Sequence, residues 1–138
     1  MGFLDLFSSD FKKAVPAMAK ENGWKVADVN DDRAVLQFEA SAGRIQTLYI
    51  LKYPHTLEFS APSQAVFSTL DEVPDGLAAR FLQRNTELRQ GFWALEEIDN
   101  HWVFSMMYNE ALARLHVNNF GQIARDLLSE CDRFNSGA

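Results

Sequence analysis

The chain has a single cysteine, Cys131, among 138 residues, so no internal disulfide can hold it and its stability must come from a buried core. At this length a core can suffice. A lone thiol on an apolar helix face reads as a small buried hydrophobe in a reducing compartment, which makes the cytoplasm the expected location. Positive charge is also scarce: 13 Lys and Arg against 19 Asp and Glu give a net charge of −6. Lys12, Lys13 and Lys20 form no basic stripe, and without clustered cations little counterion release is available to drive binding to nucleic acid phosphates. Acidity instead favours solubility and steering toward basic partners.

No stretch reaches the roughly 20 apolar residues of a membrane span. Met1-Gly2-Phe3-Leu4-Asp5 lacks the basic start of a secretory signal, and Leu6 stands where a myristoylation motif requires Ser or Thr. With only 4 prolines and 7 glycines, none gathered into a linker, and with no repeat, the sequence reads as one domain over residues 1–138. Asn135-Ser136-Gly137-Ala138 is expected to be a short loose tail.

Catalytic patterns are missing as well. No serine sits in a G-x-S-x-G elbow, and Gly76, Gly91 and Gly121 stand alone and make no phosphate loop. His55, His101 and His116 are scattered, without metal-ligand spacing to one another or to Cys131, so no metal or cofactor is expected. Asp28, Asn30, Asp32 and Glu39 imitate a calcium loop, yet Arg33 occupies the position that needs glycine and the flanks read as strands. A solvated hairpin turn is the expectation there. Glu96 and Glu97 are adjacent strand residues that point to opposite faces and cannot work as an acid pair.

What is present is a regular alternation of periods. Phe7, Phe11, Ala14, Val15, Met18 and Asn22 recur at helical spacing, from a cap at Ser8 or Ser9 to a stop at Asn22-Gly23, with Pro16 placing the start as late as Ala14 if it cannot lie inside the helix. Period-two patterns follow over Trp24–Val29, Arg33–Ala40, Ile45–Lys52 and Thr56–Ser60, an antiparallel meander, while Ala65–Ser68 fits either a short strand or irregular packing. An acidic stretch at Asp71–Asp75 leads into a helix with Leu77, Ala78, Phe81, Leu82, Asn85 and Leu88 on one face. A hairpin of Phe92–Ile98 and Trp102–Tyr108 turns at Asp99-Asn100. The last helix carries Phe120, Ile123, Ala124, Leu127, Leu128, Cys131 and Phe134, with Asn118 or Asn119 as its cap. The expected fold class is α+β, an antiparallel sheet covered by helices in the order α-β-β-β-β-α-β-β-α.

This order resembles the YbjN family, whose fold is shared with type III secretion chaperones. Leu82 and Asn85 are similar to the family's leucine-then-asparagine helix, Gly91–Glu96 to the strand after it and Asn118–Phe134 to its closing helix. The resemblance implies a binding or regulatory module, often dimeric, with no catalytic residues. Pro16 and the aromatic N-terminal segment depart from the pattern.

Asn85, an amide on an apolar face, must find hydrogen-bond partners or cost roughly 1–3 kcal/mol, and is read as a strut to backbone groups of a neighbouring strand or loop. The strands are apolar on both faces: Tyr49 and Leu51 oppose Leu48 and Ile50, and Trp93 and Leu95 oppose Phe92 and Ala94. Something must cover part of the second face, either the chain's own N-terminal segment or loops, or else a second subunit or client chain. The same choice applies to Phe3, Leu4, Leu6 and Phe7. The leading expectation is a non-catalytic, dimeric, chaperone-like module that holds a protein segment, with Tyr49, Phe92, Trp93 and Trp102 as anchors. The alternative is a small-molecule sensor or enzyme with an apolar cavity between sheet and helices, which Met106 and Met107 could line.

Overall fold

In the computed structural model, which describes residues 10–137, the first helix is α1 (Phe11–Glu21). Met1–Ser9 lie outside the described residues, and with them the expectations placed on Phe3, Leu4, Leu6, Phe7, Ser8 and Ser9. The observed N-cap is Asp10, whose side chain accepts from the Lys13 backbone N–H. Pro16 lies inside α1. The carbonyl it leaves without a donor belongs to Lys12, which is exposed and open to water.

Strands β1 (Lys25–Val29), β2 (Arg33–Glu39), β3 (Ile45–Lys52) and β4 (Thr56–Phe67) form the meander. Helix α2 (Asp75–Asn85), strands β5 (Phe92–Ile98) and β6 (His101–Ala111), and helix α3 (Val117–Asn135) complete the order. All pairings are antiparallel in a six-stranded sheet of order β1-β2-β3-β4-β6-β5. The β5–β6 hairpin turns at Asp99 and Asn100, both at positive φ (50° and 64°), the geometry that a tight hairpin with right-handed twist needs.

Register and burial place Leu36, Leu48, Ile50, Phe59, Met106 and Trp93 on one face, and α1, α2 and α3 pack there. Phe120 of α3 meets Phe59 edge-on at 5.7 Å, and Phe81 of α2 stacks on Phe104 at 4.3 Å. Leu82, expected on that inward face, is 68% exposed; of the residues in α2, Phe81 is the one buried.

The undecided segment Ala65–Phe67 is strand, the far end of β4 beyond a bulge between Pro62 and Val66. Pairing with β3 stops at Ser60, so Pro62 lies where β4 has only β6 beside it, a place that tolerates a missing donor. Helix α3 takes over there: the Cys131 thiol donates to the Pro62 carbonyl at 3.4 Å, and Asn135 Oδ1 accepts the Gln64 N–H at 2.9 Å. Asn135 is therefore the last residue of a helix and not part of a loose tail. The opposite end of α3 is capped by His116 instead of Asn118 or Asn119. His116 Nδ1 accepts the Asn119 N–H and Asn119 Oδ1 accepts the His116 N–H, a capping box built from an unusual pair.

Gly91, which leads into β5, has φ +85°, and a Cβ there would stand 2.6 Å from Leu127 Cδ2. The absence of a side chain lets the chain turn tightly under α3 and sets the register in which Trp93 enters the core.

Candidate functional site

The two faces of the sheet each carry a recess. On the face away from the helices, the row Val35, Tyr49, Ser60, Met107 and Phe92 crosses from β2 to β5. Ser60 Oγ donates to Glu96 Oε2 at 2.6 Å, although β6 separates their strands. Strands two places apart in a flat sheet lie roughly 10 Å from each other, so the sheet is coiled, with β5 turned in over β6 toward β4. Ser60, Val103, Ser105 and Met107 are buried inside the curl. The middle of the second face is thus covered by the sheet itself, a solution that alternation along single strands cannot reveal.

A recess of about 190 Å³ remains, lined by Arg33, Tyr49, Leu51, Glu58, Ser60, Glu96, Glu97 and Ile98. The Arg33 guanidinium lies 5.1 Å from the Tyr49 ring centroid, a distance at which the ring face attracts a cation. Burial, and then the Glu96 carboxylate, push the Glu58 carboxyl above its ordinary range.

The second recess, of about 320 Å³, lies between α2 and the end of α3. Phe81, Trp93 and Phe134 line it, mutually packed at 4.5–5.5 Å, together with Leu77 and the guanidinium groups of Arg80, Arg84 and Arg133. Behind these arginines Glu130 is buried at 7% exposure. Arg84 meets it through Nε and Nη2, both at 2.9 Å, Arg133 through Nε at 3.0 Å and Nη2 at 2.9 Å, and the Trp93 indole N–H donates at 3.0 Å. Burial pushes the Glu130 carboxyl up, but hydrogen bonds from Arg84, Arg133 and Trp93 outweigh it and hold the group at about 2. Arg84 Nη1 reaches outward to Glu87 at 2.8 Å.

Of the expected anchors, Tyr49 is half-buried and Phe92 is 37% exposed, and they share one cross-strand row. Trp93 is 4% exposed beneath α2 and α3, so it is a core residue that lines the back of the second recess and lies away from the face that carries Tyr49 and Phe92. Trp102 is half-buried at the far end of β6, opposite Phe67 and Glu97, and belongs to neither recess. The aromatic residues thus divide between the faces. Asn85 Nδ2 donates to the Trp93 carbonyl at 3.1 Å and Asn85 Oδ1 accepts the Trp93 N–H at 2.6 Å, which ties α2 to β5. Met106 and Met107 are buried in opposite faces, and neither lines a recess.

Asn30 Oδ1 accepts the backbone N–H groups of Asp32 and Arg33, so the segment resembling a calcium loop is an Asx turn. Among the described residues no cluster of His, Cys, Asp and Glu is arranged to hold a metal. No helix among them is long and apolar enough to cross a membrane.

The sequence reading did not single out Glu130, Arg84 or Arg133. A signal existed: Glu130 is three residues after Leu127 and four before Phe134, so a charge interrupts the apolar stripe of α3 as Asn85 interrupts that of α2.

Helices on one face of a six-stranded antiparallel sheet, joined without repeated βαβ crossovers, define an α+β sandwich of the YbjN kind. A similar solved structure is the crystal structure of YbjN from E. coli, described as a proposed transcription regulator; it superposes with a TM-score of 0.61 over 87% of this chain and 84% of that one, at 13% sequence identity. The chain has a YbjN-like fold, and at that identity the likeness is one of fold alone. No protein-family model matches the chain, and no curated protein matches it in sequence.

Proposed function

We propose that this chain is a non-catalytic binding module that grips an extended polypeptide segment at the recess of the coiled face, with a basic side chain of that segment seated between Glu58 and Glu96. The observation that supports it is the gathering of Glu58, Glu96 and Glu97 around one recess: burial and the Glu96 carboxylate push Glu58 up, and an incoming cation offsets the repulsion between the carboxylates. Tyr49, Leu51 and Ile98 supply apolar contact around the charge, and Phe92, 37% exposed, extends the apolar surface along the cross-strand row that it shares with Tyr49. The overall charge of −6 steers basic segments toward the chain. A binding role also suits the thiol, since burial pushes Cys131 up to about 12 and leaves it a poor nucleophile. A chaperone-like action, a homodimeric state and a cytoplasmic setting belong to the same proposal and follow from the resemblance and the composition.

The test places a photoreactive residue at Phe92 and adds a peptide of alternating apolar residues around a central lysine. Labelling should fall at least about tenfold when the lysine becomes norleucine, or when Glu58→Gln removes the carboxylate. Equal labelling by both peptides, with an unchanged melting temperature, removes the reading. Light scattering across a concentration series reads the dimer, and a monomer throughout removes that part.

A further inference from the structure

The recess between α2 and α3 is cationic in a chain that is acidic overall. Arg84 and Arg133 cannot swing away from it, because each is held in a fork by the buried Glu130. The Glu130 carboxylate receives all of those N–H groups and the Trp93 indole, which leaves it no capacity for a ligand. What faces outward is different. Arg84 Nη1 is engaged by Glu87, whose side chain is 67% exposed, and so exposed an ion pair holds weakly. Arg80, one helical turn before Arg84, lines the same recess, is exposed and has no ion pair among the described residues. The walls behind these cations are the rings of Phe81, Trp93 and Phe134.

We infer that this recess is a binding site for a small organic anion with a flat apolar body, of the aryl carboxylate class. Its carboxylate takes Arg84 Nη1 and the Arg80 guanidinium, displacing Glu87, and its ring lies against Leu77 and Phe134, the half-buried apolar residues of the lining. Glu87 is then a resident stand-in for the ligand's charge, a carboxylate already placed at the outward nitrogen of Arg84. The volume of about 320 Å³ lies at the small end of ligand cavities and suits a molecule of one or two fused rings. The Glu130 forks fix the receiving guanidinium before the ligand arrives, which reduces the entropy lost on binding. This inference is independent of the polypeptide site on the opposite face.

Isothermal titration of the full chain with 1-naphthoate tests it, with 1-naphthalenemethanol as the uncharged isostere and inorganic phosphate as the anion without an apolar body. The expected result is saturable 1:1 binding of naphthoate with neither control bound. Arg80→Gln should weaken naphthoate about tenfold or more, while Glu87→Gln, which removes the competing carboxylate, should tighten it severalfold. Both side chains are exposed, and both variants should melt with the wild type, so a folding defect is distinguishable from a binding one. Absence of naphthoate binding, binding of the alcohol or of phosphate as tightly, or Arg80→Gln and Glu87→Gln changing affinity in the same direction would each overturn the assignment.

Discussion

Glu130 and Glu58 are both glutamates drawn out of water, one on each side of the same sheet, and their carboxyls move in opposite directions. Glu130 falls to about 2, while Glu58 rises. Burial acts upward on both. The difference lies in the neighbours: two guanidinium forks and an indole N–H surround the first, and a second carboxylate faces the other. Burial sets the direction for Glu58, and partners decide whether it is outweighed, as it is at Glu130. One face holds a buried charge whose hydrogen bonds fix two cations in place, and the other holds a half-buried carboxyl beside a second carboxylate.

The strongest way to break this contrast is Glu130→Gln, which removes the buried counter-charge that Arg84 and Arg133 share. We expect a loss of about 3 kcal/mol in chemical denaturation; a loss below about 1 kcal/mol would mean that solvent already carries the guanidiniums. Next comes Asn85→Ala, which strands the Trp93 N–H and carbonyl and detaches α2 from β5. It should cost about 2 kcal/mol and weaken naphthoate binding together with stability. Unfolding followed against pH then separates the two carboxylates. The depressed Glu130 contributes stability that is present above the ordinary carboxylate range and is lost as pH falls toward about 2. The raised Glu58 works the other way, with stability gained as pH falls through its raised value. The smallest effect is expected from Glu58→Gln, a gain of about 0.5 kcal/mol after allowance for its partial exposure, with the mild-acid gain abolished. Retention of that gain in the variant would assign it to another group.

Much of the architecture is legible in the sequence because it is periodic. The bounds of β3, the hairpin turn at Asp99-Asn100 and the stripe of α3 follow from alternation and spacing alone. Alternation also shows that Trp93 and Phe92 oppose each other, but it does not say which faces the helices. That depends on Phe81 and Phe134, which reach Trp93 through tertiary packing. Pro62 conceals the continuation of β4, since its tolerance there rests on where the β3 partner ends. The basic recess is invisible along the chain for a similar reason: Arg84 and Glu130 stand 46 residues apart. The acidic recess needs the coil of the sheet, which only the Ser60–Glu96 bond discloses.

The amide of Asn85 has one more effect. Strand β5 lies at the margin of the sheet, and the Trp93 groups that Asn85 engages are the first pair on its open side, where another molecule's strand would dock. A side chain that mimics a strand's own hydrogen bonds stoppers that template locally. The other margin, β1, is only 5 residues long and its register slips between Val26 and Asp28. Both rims are poor seeds for indefinite strand addition, so assemblies of this chain should be closed and saturable, and amyloid-like growth should be disfavoured until Asn85 is removed.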